Sequence, residues 1–391
     1  MAKKRLKIGM FLDTYYPAID GVVMVVDNIA CELAKTNDVT LIVPDMKGGA
    51  DIKRPYDIIR VKSIHVPFSE YSVAMPHLPS AKRRKILKKH FDVIHVHSPF
   101  VLGLYGIQLG KKLNVPVIGT VHTNYEREVL KIMKSRLLTK LSMKIITGIY
   151  NKYDTCIVVN EPVVGEIKKY GYRHKPVVIH NGTTILPPKD REKSLRKVDR
   201  LLGLDKDDIV LIFVGRITDT KNIFFLLKAL RLLKADGASF KMLYVGAGPD
   251  EKLLKAKIHE YGMADCVKMT GRIKNREHLS EIYSRADLLL FPSLADTFGL
   301  VVIEAAVNST PALLLENAMS ASLVTDGVNG FVAPFDEVKY CLAIKEIIGN
   351  KELLKKASQN AHDTLGESMK SIAEKTYNEY IKAVIKCWKK K

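Results

Sequence analysis

Cysteine is sparse and scattered. The five thiols, at 31, 156, 266, 341 and 387, form no CxxC pair and stand beside no histidine cluster. That spacing argues against a disulfide framework and against a zinc site. Long apolar runs are missing too: none approaches the roughly 18–20 residues that span a bilayer. The opening MAKKRLKIGMFLD is basic and runs straight into a short strand, without the apolar core and small-residue cleavage site of a secretory signal. These absences lead to the expectation of a cytoplasmic protein with reduced thiols. The loop after the first strand, DTYYPAIDGVV (13–23), lacks the GxGxxG of a nicotinamide enzyme, and GAGPD (246–250) offers only GxG after a later strand. No HExxH occurs, and no Asp-x-Asp is positioned to hold a cation over a diphosphate. Acidic residues are also scarce, 42 against 62 Lys and Arg, for a net charge of +20. Residues 1–185 carry 29 of the bases and only 15 of the acids. Such a surface suits nucleic acid, anionic lipid or a polyanionic substrate, unless it reflects a generally basic proteome.

What is present is alternation. A chain of 391 residues suggests two domains. Apolar runs at 6–13, 38–44, 57–61, 92–97, 116–122, 155–160 and 176–182 read as strands, with helical stretches such as 21–36 between them. The segment 181–197, with Pro187-Pro188 and a charge run, has linker composition. Strands then resume at 208–215, 240–246, 266–271, 286–292 and 311–316, and a helical tail starts near 368. The expectation is an α/β protein of two doubly wound domains, 1–185 and 186–367, followed by a helix over 368–391.

Doubly wound sheets bind ligands at the carboxyl ends of their strands, and the chemistry-bearing residues fall there. Gly21 follows the first strand. His97 (HVHSP) and His122 (TVHTNYE) end two others, although a lone histidine at such a place is more often structural than catalytic. Arg216 and Lys221 lie in GRITDTKN, and two cations at a strand end suit a diphosphate, or else a solvated turn. Gly246 (GAG) and Arg272 (TGRI) stand in further turns. In SLADTFGLVVIEAA (293–306), Asp296, Phe298 and Gly299 precede an apolar helix with Leu300, Val301 and Glu304. This reads either as a capped helix with a solvated face or as a phosphate site at a helix N-terminus.

Taken together, YYPAIDGV, GRITDTKN, VGAGP, FPSLADTFGLVVIEAA and TDGVNGFV resemble the GT-B glycosyltransferases of family 4, retaining enzymes that use nucleotide-sugars. Through DTYYPAIDGVV, HSPFVLGLYG and TVHTNYE the chain is most similar to the diacylglycerol α-glucosyltransferases. The resemblance implies two Rossmann-like domains facing a central cleft, with the C-terminal helix packing back on the first. It implies a hexosyltransferase that moves glucose from UDP-glucose onto 1,2-diacylglycerol. The family's Glu-x7-Glu reads here Asp296-x7-Glu304, one methylene shorter at its first position. Glu304 would bind the ribose and Asp296 the sugar hydroxyls, while backbone N–H groups of Gly299, Leu300 and Val301 hold the diphosphate. Arg216 and Lys221 would stabilise the leaving UDP, so that no metal and no other cofactor is required. His122 would lie near the donor sugar and Gly21 beside the diphosphate; Gly246, Arg272 and Phe298 complete the candidate donor set.

The acceptor side falls to the first domain. Lys82, Arg83, Arg84, Lys85, Lys88 and Lys89 crowd one short stretch, and 128–150 mixes Leu, Ile and Met with Lys and Arg at near-helical spacing. Basic amphipathic helices lie on anionic bilayers, although an ordinary helix with a solvated basic face gives the same pattern. Trp388 is either an interfacial anchor or part of a frayed tail. The implied setting is peripheral attachment to the inner face of the cell membrane, with a nucleotide-sugar, a lipid acceptor and an anionic surface as partners, and no nucleic acid. Two alternatives stand beside it. A family 4 enzyme acting on a soluble or polyprenyl-linked acceptor explains the motifs alone. A nucleic-acid-binding protein explains the charge alone, and no RNP, KH or zinc-finger pattern supports it.

Overall fold

The computed structural model describes residues 5–18, 20–46, 48, 53–66 and 72–389. It divides into two units, Met1–Gly182 with Met369–Lys391, and Thr183–Ser368.

In the first unit, β1 (Lys7–Phe11), β2 (Asp38–Pro44), β3 (Asp57–Val61), β6 (Val93–Val96), β7 (Val117–Val121), β8 (Thr155–Val158) and β9 (Val177–Val178) form a parallel sheet ordered β3-β2-β1-β6-β7-β8-β9. Its central strands are buried along almost their whole length, as a sheet covered by helices on both faces requires. The short antiparallel pair β4 (Ser63–His65) and β5 (Ser72–Ala74) stands apart from it. Helix Gly21–Ala34 starts at Asp20, whose carboxylate accepts the Val23 N–H at 2.8 Å, and buries Val23, Val25, Val26, Ile29, Ala30 and Leu33. The C-terminal helix Met369–Trp388 packs against it, burying Ile372, Ala373, Tyr377, Tyr380 and Val384. The fold-back of this helix on the first unit is therefore as the sequence led us to expect.

The second unit holds β10 (Val210–Val214), β11 (Lys241–Val245), β12 (Val267–Gly271), β13 (Leu288–Phe291), β14 (Ala312–Leu315) and β15 (Phe331–Ala333), parallel and ordered β12-β11-β10-β13-β14-β15. Strand order reverses between β1 and β6 in one unit and between β10 and β13 in the other. Those two points, at the carboxyl ends of the strands, are where an open α/β sheet takes its ligands.

Two stretches fold differently from their composition. The charge run after Pro188 is no linker: Arg191–Leu202 is a helix, capped by Asp190 and anchored by buried Ser194 and Val198, four residues apart on one face. The mixed stretch 128–150 is two helices rather than one, Tyr125–Met133 and Arg136–Tyr150. Lys134 adopts a left-handed conformation (φ 49°), which ends the first helix, and the Ser135 hydroxyl caps the second.

Candidate functional site

The two switch points are built differently. In the first unit, the Asp13 carboxylate fills the N-terminus of helix Val101–Leu113, accepting from Leu102 N–H (2.8 Å), Gly103 N–H (3.4 Å) and the Ser98 hydroxyl (2.6 Å). Asp20 caps the neighbouring helix that begins at Gly21. Both helix starts thus carry the protein's own anion, and burial raises the Asp13 carboxyl above its usual range. In the second unit, helices Ile223–Ala235 and Leu300–Val307 follow the switch strands, and neither start has a side-chain cap. Their free N–H groups and the positive ends of their dipoles remain for an outside anion.

Gly299 opens the second of these helices with φ at 76°, a conformation that a side chain rarely adopts. Phe298 is buried, while Leu300 and Val301 are half-buried. The GAG turn has a packing role that composition does not reveal. A Cβ on Gly246 would lie 1.8 Å from the Gly215 carbonyl oxygen, and one on Gly248 would lie 2.1 Å from that of Ile217. The loops 215–221 and 246–250 are also stitched by Ile217 N–H to Ala247 O (3.1 Å) and Asp219 N–H to the Asp250 carboxylate (2.7 Å). Arg216 and Lys221 are thereby presented on a braced turn.

Lys221 donates to both oxygens of Asp296, each at 2.6 Å. Arg216 and Arg272 are exposed, and neither makes an ion pair or hydrogen bond with a described residue. Glu304 is buried between the Arg276 guanidinium (3.0 Å) and the Tyr283 hydroxyl (3.1 Å). Burial raises its carboxyl, and Arg276 pulls in the opposite direction. Sequence reasoning missed both partners of Glu304; Arg276 lay in plain view two residues past the TGRIK turn, but nothing local linked it to a glutamate 28 residues on.

In the first unit the histidines form a buried column. His95 and His97 alternate onto one side of β6, and their rings lie 3.9 Å apart, centroid to centroid. His95 bonds the Tyr380 hydroxyl through Nδ1 and the Thr120 hydroxyl through Nε2, both at 2.7 Å. His97 Nδ1 meets His122 Nε2 at 3.0 Å. Burial keeps all three neutral, with His95 held down to about 3, His122 to about 4 and His97 well below its usual value. Gly21 is exposed at the head of its helix. The TYYP loop before it is held by Asp27, which accepts from Arg54 (2.8 Å twice), Tyr16 (3.1 Å) and Tyr56. Among the described residues, no group of His, Cys, Asp or Glu is placed to hold a metal ion.

The basic stretch divides. Lys82, Arg84, Lys85 and Lys88 are exposed on helix Ala81–Lys88. Arg83 turns inward, its Nε buried, and Lys89 is committed to Asp57 (2.6 Å) and Thr40 (2.9 Å). Four of the six expected surface cations are thus available to a surface. A ridge of exposed apolar residues crosses the two helices after Asn124: Leu130, Ile132 (74% exposed), Met133, Leu137 (77%), Leu138, Leu141 and Ile145 (62%). Exposed Lys131, Lys134, Arg136, Lys140 and Lys144 stand among them. Trp388 ends the last helix, also exposed. No helix among the described residues is long and apolar enough to cross a membrane.

Glu166, on helix Glu161–Lys169, is buried. One oxygen accepts the Glu126 N–H (3.3 Å), the other has no partner, and desolvation lifts the carboxyl to about 7. The unfolded chain ionises it at an ordinary carboxylate value, so the folded state holds the extra proton in between and stability falls as pH rises through that window. Glu166→Gln should be nearly neutral at pH 5 and stabilising by about 1–3 kcal/mol at pH 8. Urea unfolding at both pH values checks this; the same effect at each would contradict it.

Two units, each a doubly wound parallel sheet, make the fold GT-B, and comparison with known proteins gives the class as a glycosyltransferase. Residues 19–185 match the family described as Glycosyltransferase Family 4, and residues 176–364 that described as Glycosyl transferases group 1. The chain thus joins a Glycosyltransferase Family 4 domain to a Glycosyl transferases group 1 domain, and it is a glycosyltransferase. It is 27% identical over 391 aligned residues to an alpha-monoglucosyldiacylglycerol synthase of Streptococcus pneumoniae, covering 97% of this chain and 86% of that one. A protein of the same name from Acholeplasma laidlawii is 26% identical, covering 91% and 92%. Among solved structures, Anabaena Alr3699/HepE in complex with UDP superposes with a TM-score of 0.77 at 17% identity, covering 96% and 99%. Sucrose-phosphate synthase from Thermosynechococcus elongatus gives 0.74 at 20%, covering 97% and 99%.

Proposed function

We propose that the chain is a retaining hexosyltransferase that moves glucose from UDP-glucose onto 1,2-diacylglycerol, working while peripherally attached to the inner face of the cell membrane. The donor's diphosphate rests at the uncapped N-terminus around Gly299, Leu300 and Val301, with Arg216 and Lys221 taking up the charge that develops on the leaving UDP. A diphosphate arriving there competes for Lys221 and releases Asp296 to the sugar hydroxyls, while Glu304 takes the ribose. Gly21, His122, Gly246, Arg272 and Phe298 keep the places that family resemblance implies. No metal is needed in this reading, because the two cations supply the electrostatic stabilisation.

One observation carries the acceptor: the apolar ridge set among lysines on the two helices after Asn124. A soluble protein seldom leaves seven such side chains together in water. A bilayer buries them, and its anionic headgroups meet the cations at the ridge and at residues 82–88. The two synthases whose names give diacylglycerol as the glucosylated lipid favour the same acceptor.

Flotation with vesicles tests this. Changing Lys82, Arg84, Lys85 and Lys88 to Ser should weaken binding to anionic vesicles on the order of 10²–10³-fold at low salt, at about 1 kcal/mol per charge. Changing Leu137, Leu141 and Ile145 to Ser should weaken it at high salt as well, because burial of apolar surface is not screened. Wild-type flotation of both variants, or retention of RNA on a filter in place of lipid binding, would remove the membrane reading.

A further inference from the structure

The surroundings of His97, set beside His95 and in contact with His122, assign it a task. Both rings are neutral, so each carries one N–H, and the 3.0 Å contact between His97 Nδ1 and His122 Nε2 needs a donor on one side and a lone pair on the other. Two arrangements satisfy it. If His122 donates through Nε2–H, the His97 proton must sit on its own Nε2. That atom is fully buried and has no partner in the protein, so the arrangement leaves an orphaned N–H in the interior. If His97 donates through Nδ1–H, only a bare lone pair is left at Nε2. Orphaned buried N–H groups are the rarer and costlier of the two. His95 offers no relief, since both its nitrogens are engaged by Tyr380 and Thr120.

We infer that His97 is a positioning residue: it donates Nδ1–H to His122 Nε2 and thereby holds His122 in the Nδ1–H tautomer, as a hydrogen-bond donor to a hydroxyl oxygen of the bound sugar. His122 Nδ1 has no protein partner and is not among the sealed polar atoms, so this N–H can reach a ligand. The inference rests on the glycosyltransferase reading for the identity of the ligand, but the tautomer itself does not depend on it.

Nuclear magnetic resonance reads the tautomer directly. In ¹⁵N-histidine-labelled full-length protein, long-range ¹H–¹⁵N correlations assigned by a His122→Gln control should show His122 protonated on Nδ1. Protonation on Nε2 would overturn the inference. Two variants then separate positioning from packing. An asparagine amide nitrogen occupies nearly the place of Nδ1, so His97→Asn keeps the donor, whereas His97→Leu fills the space without it. With UDP-glucose and diacylglycerol in vesicles, His97→Leu should lose about ten- to hundredfold in kcat at unchanged KM for the donor, and His97→Asn should stay near wild type. Equal loss in both variants, or none in His97→Leu, would contradict the assignment. The absence of any sugar transfer by wild-type protein would instead fall on the functional reading, and the tautomer measurement would still decide this inference.

Discussion

Arg216→Ala or Lys221→Ala should reduce turnover by about 10²–10³-fold, the usual cost of deleting one preorganised group that faces charge developing in a transition state. The effect belongs in kcat, because that charge grows as the glycosidic bond breaks. The fold should survive both changes. Arg216 is exposed and unpaired with any described residue, and Lys221 has a half-buried pairing with Asp296 and a 6.0 Å approach to the Phe291 ring to lose, each worth about 1 kcal/mol or less. The braced backbone of 215–221 does not depend on either side chain. Wild-type protein should also keep its activity in excess EDTA. Steady-state kinetics and thermal unfolding of each variant check this. Full turnover in either variant would end the diphosphate role, and loss on chelation restored by magnesium would show that the leaving group is stabilised by a metal.

The two carboxylates should divide their effects. Asp296→Ala is expected to abolish transfer while UDP affinity stays the same or rises slightly, since Lys221 is then relieved of its competing partner. Glu304→Ala should weaken UDP itself about tenfold or more, at the 1.5–3 kcal/mol typical of a hydrogen bond to a charged group. It should also cost stability, because Arg276 and Tyr283 both lose their partner. Glu304→Gln keeps two acceptor or donor positions beside those groups and should fold better than the alanine variant while still binding UDP less tightly. Calorimetric titration with UDP separates the two residues, and the opposite division would refute their assignment.

The parallel sheets could be read from the sequence because their interior strands are continuous apolar runs, such as LLLF in β13 and VLIFV in β10. β15 and the β4–β5 pair escaped because each strand has only three residues, too few for any periodicity to show. The break at Lys134 was hidden for a different reason: the apolar and basic pattern continues across it, and only backbone geometry reveals the turn. The candidate site was legible as strand-end positions, since Arg216, Lys221, Asp296 and Glu304 follow apolar runs directly. Their partners were not. Lys221 and Asp296 are 75 residues apart, and their meeting depends on β10 and β13 being neighbours in the sheet. The histidine column likewise depends on β6 and β7 lying side by side, which places the HVHSP and TVHTN turns together. Asp13, lost in DTYYP among more conspicuous residues, fills a helix start in the first unit, whereas the corresponding starts in the second have no side-chain cap.

In the proposed reaction this chain joins the sugar of a nucleotide-sugar to a membrane lipid. Incubation with UDP-[¹⁴C]glucose and 1,2-diacylglycerol in anionic vesicles, followed by organic extraction, tests it most directly. The label should move into the organic phase as a monoglucosyl diacylglycerol with an α linkage, and UDP should be released in equal amount. Label that stays in water with every sugar nucleotide tried, or that enters the organic phase only when a polyprenyl-linked acceptor replaces diacylglycerol, would contradict it.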